Sequence, residues 1–132
     1  MTSILDGAII HTLRQQEHVM NNVDNIEAIH NQAVWAAREA ADKFFNERLG
    51  GQDQYACGFA WVELPEVRGN TRLGKTLAKV GFSKTYGRRG MMLWNPSGHP
   101  CQNVDTKFHG AVAYAKVLEQ HGIRAIAMDR LD

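Results

Sequence analysis

From residue 67 to residue 104 the chain has no aspartate or glutamate at all. Other absences are also informative. Only two cysteines, Cys57 and Cys101, occur in 132 residues. They are too few for a disulfide framework, so a reducing, cytoplasmic compartment is expected. No apolar run approaches the roughly 18 residues of a membrane span, so a transmembrane helix is not expected. The first residues lack a basic segment leading into an apolar stretch, so no signal peptide is expected either. There is no internal repeat, low-complexity tract or linker. With 44% hydrophobic residues, the chain reads as one folded domain over 1–132, with residues 1–24 as a candidate N-terminal arm.

What is present is a strong segregation of charge. The formal net charge of +1 comes from 15 Lys and Arg against 14 Asp and Glu. The acidic residues crowd into positions 1–66, whereas Arg68, Arg72, Lys75, Lys79, Lys84, Arg88 and Arg89 occupy the stretch without acids. Such a block should create a positive surface that attracts anions. Alternatively it pairs with the acidic N-terminal half, within the chain or across a dimer.

Hydrophobic spacing predicts the elements. Ile26, Ile29, Ala33, Ala37, Ala40 and Phe44 form a helical stripe over about 25–48, widened by Trp35 and Phe45. Asp24 and Glu27 have capping-box spacing, and Gly50-Gly51 ends the helix. Residues 55–64 (YACGFAWVEL) read as a strand ended by Pro65. A short helix over 71–80 buries Leu73, Leu77 and Val80 and turns Arg72, Lys75 and Lys79 outward. Residues 82–86 and 91–94 read as strands around Gly87-Arg88-Arg89-Gly90. A helix over about 106–120, capped by Asp105, should bury Phe108, Ala111, Val112, Ala115 and Leu118. A strand over 123–128 and a polar tail follow. The fold expected is α+β, or a small α/β domain: a long N-terminal helix on a small mixed sheet of about four strands with two shorter helices. The connection from Trp94 to Ile123 suits a right-handed crossover between neighbouring parallel strands.

Several motifs suggest chemistry. Gly69-Asn70-Thr71-Arg72-Leu73-Gly74-Lys75-Thr76 matches the phosphate-loop pattern letter for letter. In that setting the backbone amides would cradle phosphates, Lys75 would reach the terminal phosphate and Thr76 would hold magnesium. Pro65–Arg68 separate the motif from the preceding strand, however, and Thr71, Arg72 and Leu73 are bulky for such a nest. The order of GFAWVEL followed by Arg68-Gly69-Asn70-Thr71-Arg72-Leu73-Gly74 resembles the coenzyme A loop of the large acetyltransferase family, although its glycine spacing differs. That resemblance implies an acyl-coenzyme A enzyme. His99, Cys101 and His109 are candidate soft metal ligands, or a Cys-His nucleophilic pair, but they lack a fourth ligand of obvious spacing. No cofactor is expected.

The reading that uses most of these features is a small non-catalytic nucleic-acid or polyanion binder. Arg68, Arg72, Lys75, Lys79, Lys84, Arg88 and Arg89 would contact phosphates of DNA or RNA, with Tyr86 and Trp94 as stacking surfaces. On this reading, reversing the charges of Arg88 and Arg89 should weaken binding at little cost to stability. The alternatives are a homodimeric interaction module built on the 25–48 helix, and a nucleotide-binding or acyl-coenzyme A enzyme.

Overall fold

The computed structural model describes residues 23–132, so the candidate arm lies outside the described residues except for its last two positions. Helix α1 (Ile26–Lys43) runs on through a π-helical turn, Phe44–Arg48. Next come β1 (Gly58–Leu64), α2 (Arg72–Lys79), β2 (Ser83–Lys84), β3 (Met91–Trp94), α3 (Val104–Gln120) and β4 (Ile126–Leu131). The fold is α+β: a long N-terminal helix, two shorter helices and a four-stranded sheet. The strand order is β2-β3-β1-β4, and each neighbouring pair is antiparallel. Strands β3 and β4 do run the same way, which is the parallel relation expected of them. They are not neighbours, however, because β1 lies between them. As the longest strand, with alternate residues fully apolar, β1 takes the place where both of its edges are paired.

The helices gather on one face of the sheet. Ala60, Val62 and Leu64 of β1 share one core with Ile26, Ile29, Ala33 and Ala37 of α1, Leu77 of α2, and Ala111, Tyr114 and Leu118 of α3. Alternation along a strand sends Phe59, Trp61 and Glu63 to the opposite face. The α1 stripe continues from Ala37 to Ala41 rather than Ala40, so small residues recur every four positions where α1 meets α3. On α3 the buried side chains include Tyr114 and Val117, while Val112 is exposed. The buried Tyr114 hydroxyl lies 2.7 Å from Nδ1 of His30, which supplies the partner a buried phenol needs.

Element boundaries move for identifiable reasons. Asn103, not Asp105, caps α3: its side-chain oxygen accepts from the Thr106 amide at 2.8 Å. Asp53 in turn accepts from the Gln102 and Asn103 amides and from the Asn103 side chain at 2.6, 3.0 and 2.9 Å. The carboxylate of Asp24 reaches Arg72 at 2.7 Å instead of forming a capping box. The last strand begins at Ile126, three residues later than its expected start at Ile123. Ile123 closes the end of α3 by donating its amide to Leu118, and the supposed tail pairs with β1 as far as Leu131 opposite Gly58.

Helices α1 and α3 and the 95–98 turn meet closely at Gly110. A Cβ there would stand 2.7 Å from Cβ of Ser97 and 3.3 Å from the Ala37 carbonyl oxygen. Replacing a helix-interior glycine by alanine ordinarily stabilises by about 1 kcal/mol. Here overpacking should dominate, so Gly110→Ala is expected to destabilise by about 1–3 kcal/mol, measured as a fall in the urea midpoint at unchanged slope.

Candidate nucleic-acid interface

The structure separates the seven cations of the acid-free stretch into two groups. Two are paired with the acidic N-terminal half: Arg72 with Asp24, and Arg88 with Glu63. The other five, Arg68, Lys75, Lys79, Lys84 and Arg89, are exposed and have no carboxylate partner among the described residues. Four of the cations, Arg68, Lys84, Arg88 and Arg89, line one shallow cleft of about 270 Å³ with Gly69, Asn70, Thr85 and Gly90. Arg72, Lys75 and Lys79 line a second, more open cleft of about 570 Å³ with Val23, Asp24 and Thr76.

Local structure explains the first cleft. The Thr85 hydroxyl donates to the Arg88 carbonyl at 2.9 Å, and the Thr85 amide donates to the Gly90 carbonyl at 3.2 Å, which closes the hairpin. Gly90 has φ +120° and packs so closely on β1 that a Cβ would lie 2.8 Å from the Leu64 carbonyl oxygen. The tip therefore sits against the end of β1 beside the 68–70 loop. Only Ser83 and Lys84 of the expected 82–86 strand are in β2, and Tyr86 projects with 95% of its surface exposed.

Arg88 is a different kind of residue from Arg89. The Glu63 carboxylate is buried on β1 and accepts from both the Arg88 guanidinium and the Trp61 indole N–H, the latter at 3.0 Å. Desolvation pushes the Glu63 pKa up. The Arg88 and Trp61 hydrogen bonds outweigh it and hold the carboxyl below its ordinary value. The expectation that reversing both tip arginines would leave stability untouched is thus wrong for Arg88.

The glycine-rich segment has another use than a phosphate loop. Thr71 caps α2: its hydroxyl accepts from the Gly74 amide at 3.0 Å and donates to the Arg68 carbonyl at 2.6 Å. The Lys75 amide donates to the Thr71 carbonyl at 2.9 Å, and the Thr76 hydroxyl donates to the Arg72 carbonyl at 2.8 Å. The Gly74 and Lys75 amides and the Thr76 hydroxyl thus already have partners within the chain. Gly74 is small because a Cβ would stand 2.1 Å from the Arg68 carbonyl oxygen.

Sequence reasoning missed the face of the sheet opposite the helices. Phe59, Trp61 and Trp94 cluster there, with Trp94 ring centroids 5.7 Å from Phe59 and 5.0 Å from Trp61. Trp94 is 52% exposed and Phe59 37%. A cleft of about 350 Å³ runs beside them, lined by Phe59, Ala60, Trp94, Asn95, Lys107 and Arg130. A signal was present in GFAWVEL, where rings and a carboxylate occupy one parity and small aliphatics the other.

The cysteine and histidine candidates serve structural ends. The Cys101 thiol is buried, 3.7 Å from the Asn103 carbonyl oxygen, and burial pushes its pKa up, the reverse of an activated nucleophile. His109 stacks on Phe44 with ring centroids 4.0 Å apart and donates from Nδ1 to the Asp105 carbonyl at 2.8 Å. His99 accepts from the Cys101 amide at Nδ1 and packs against Phe45. Among the described residues no three His, Cys, Asp or Glu side chains converge as a metal site. Among them, too, no helix is long and apolar enough to cross a membrane. Compared with protein-family models, curated proteins and solved structures, the chain matches none.

Arg88→Ala should cost about 1–3 kcal/mol, because it leaves a buried carboxylate short of a charged donor. Arg89→Ala should stay within about 0.5 kcal/mol. Folding lowers the Glu63 pKa, so its stabilisation is full above the ordinary value of 4.5 and is lost as pH falls through the lower folded value. Thermal midpoints of the wild type and Glu63→Gln should accordingly differ most near neutrality and converge in acid.

Proposed function

We propose that this protein binds nucleic acid through its basic loop, helix and hairpin surface, without catalysing a reaction. The observation that carries the reading is the set of five exposed cations with no carboxylate partner among the described residues: Arg68, Lys75, Lys79, Lys84 and Arg89. They border two clefts. Phosphates entering either cleft would meet several guanidinium or ammonium groups at once, and counterion release would drive the association. Arg72 and Arg88 would contribute to the field while remaining tied to Asp24 and Glu63. The free state of Cys57 and Cys101 supports a cytoplasmic setting.

A second reading, a homodimer through α1, is favoured by one observation: Trp35 is 68% exposed. Phe44 and Phe45, which broaden the apolar stripe in the sequence, are engaged by His109 and His99 within the chain. Solution mass of the wild type and Trp35→Ala decides between the two. A monomer at high micromolar concentration removes the dimer.

Fluorescence anisotropy of labelled duplex DNA, measured between about 50 and 300 mM salt, tests the first reading. Four phosphate contacts predict a slope of log affinity on log salt of about −3 to −4. Reversing Arg68 and Arg89 together should flatten that slope by about two, one for each contact removed. Absence of binding at the lowest salt, to this duplex and to heparin, would sink the proposal.

A further inference from the structure

We infer that the bare face of the sheet is a stacking platform for unpaired bases, so that the nucleic acid this protein takes is single-stranded. The inference deepens the reading above and rests on it for the phosphate contacts. Phe59 and Trp61 alternate along β1 and stand about 6.7 Å apart on one face. Trp94, on β3, touches both and joins them into one aromatic surface. An aliphatic face would suit any apolar partner. Rings bordered by cations suit a base with phosphates on either side.

The cations are in place at both ends. At the Phe59 end, Lys107 Nζ and Arg130 Cζ lie 5.6 and 5.5 Å from the Phe59 ring centroid. Neither forms a salt bridge among the described residues; Lys107 Nζ donates to the Gly58 carbonyl at 2.9 Å and feels the Asp53 carboxylate only at longer range. At the other end Glu63 holds the Arg88 guanidinium over the sheet, beside the cleft that contains Arg89. A strand laid along β1 therefore meets charge, then rings, then charge. A duplex keeps its bases stacked inside; it can reach the cations but not the rings. The carboxylate at the far end of the face, Glu63, is already paired with Arg88, so charge complementarity at this face favours a polyanion over a second copy of this chain.

The test uses the full chain and four probes: a labelled single strand of about ten nucleotides as DNA, the same as RNA, its abasic counterpart and the duplex. Trp94→Ala is expected to weaken binding of the intact single strands about tenfold or more while leaving the abasic and duplex probes unchanged. Trp94→Phe keeps an aromatic face and should retain most of the affinity. In a Trp35→Phe background the single strands should quench the remaining tryptophan fluorescence, which then reports Trp61 and Trp94 alone. Equal binding of intact and abasic strands, with no effect of Trp94→Ala, would overturn the platform while leaving the basic-surface reading standing. Failure of every probe would overturn both. Conversion of a dimer to a monomer by Trp94→Ala would assign the face to self-association and overturn the inference as well.

Discussion

The architecture turns on how closely α1 can approach α3. Alanines at 33, 37 and 41 and the glycine at 110 bring the two helices and the 95–98 turn together so tightly that a single added carbon at Gly110 would collide with Ser97. Close packing there has a cost elsewhere: both long helices are spent on one side of the sheet. The N-terminus of α3, fixed by Asn103 and Asp53, presses Val104 onto Gly58, where a Cβ would meet Val104 and the Arg130 carbonyl oxygen within 3 Å. The register of β1 against β4 and the placement of α3 thus support each other. Among the described residues no helix packs on the opposite face.

That bare face and the basic hairpin are joined by one carboxylate. Glu63 is buried on β1, accepts from both the Trp61 indole and the Arg88 guanidinium at Oε1, and so fixes an aromatic ring and a cation relative to each other. Among the described residues the acidic N-terminal half meets the acid-free stretch at two specific pairs, Arg72 with Asp24 and Arg88 with Glu63. The other five cations of that stretch are exposed.

Much of this was legible in the residues, and the misses have physical causes. The α1 stripe, the Gly50-Gly51 stop, the short α2 helix and a hairpin around Gly87–Gly90 all follow from spacing and turn chemistry that act within a few residues, though the first hairpin strand is shorter than its 82–86 pattern. The position of β4 does not, because its start is set by long-range pairing with Gly58–Glu63 and not by its own composition. Nor could sequence distinguish Arg88 from Arg89. They are adjacent and alike, and only the tertiary placement of Glu63 separates them. Glycine at 74 answers a steric demand from the Arg68 carbonyl, which a pattern match cannot tell from a need for phosphate access. The aromatic face was half visible: the parity of GFAWVEL separates rings from aliphatics, but which parity lies uncovered depends on where the helices go.

The outer strand β4 bears on how the molecule avoids its own kind. One margin of the sheet, β2, is only two residues long and offers little backbone for a stranger to zip onto. The other margin is six residues long and would be the natural template for runaway strand addition. It carries Asp129 and Arg130 in succession, one on each side of the strand and both exposed. Any foreign strand annealing there would have to bury an acid on one side and a base on the other. Charges of opposite sign on the two sides of this outer strand thus guard the long margin of the sheet against strand addition.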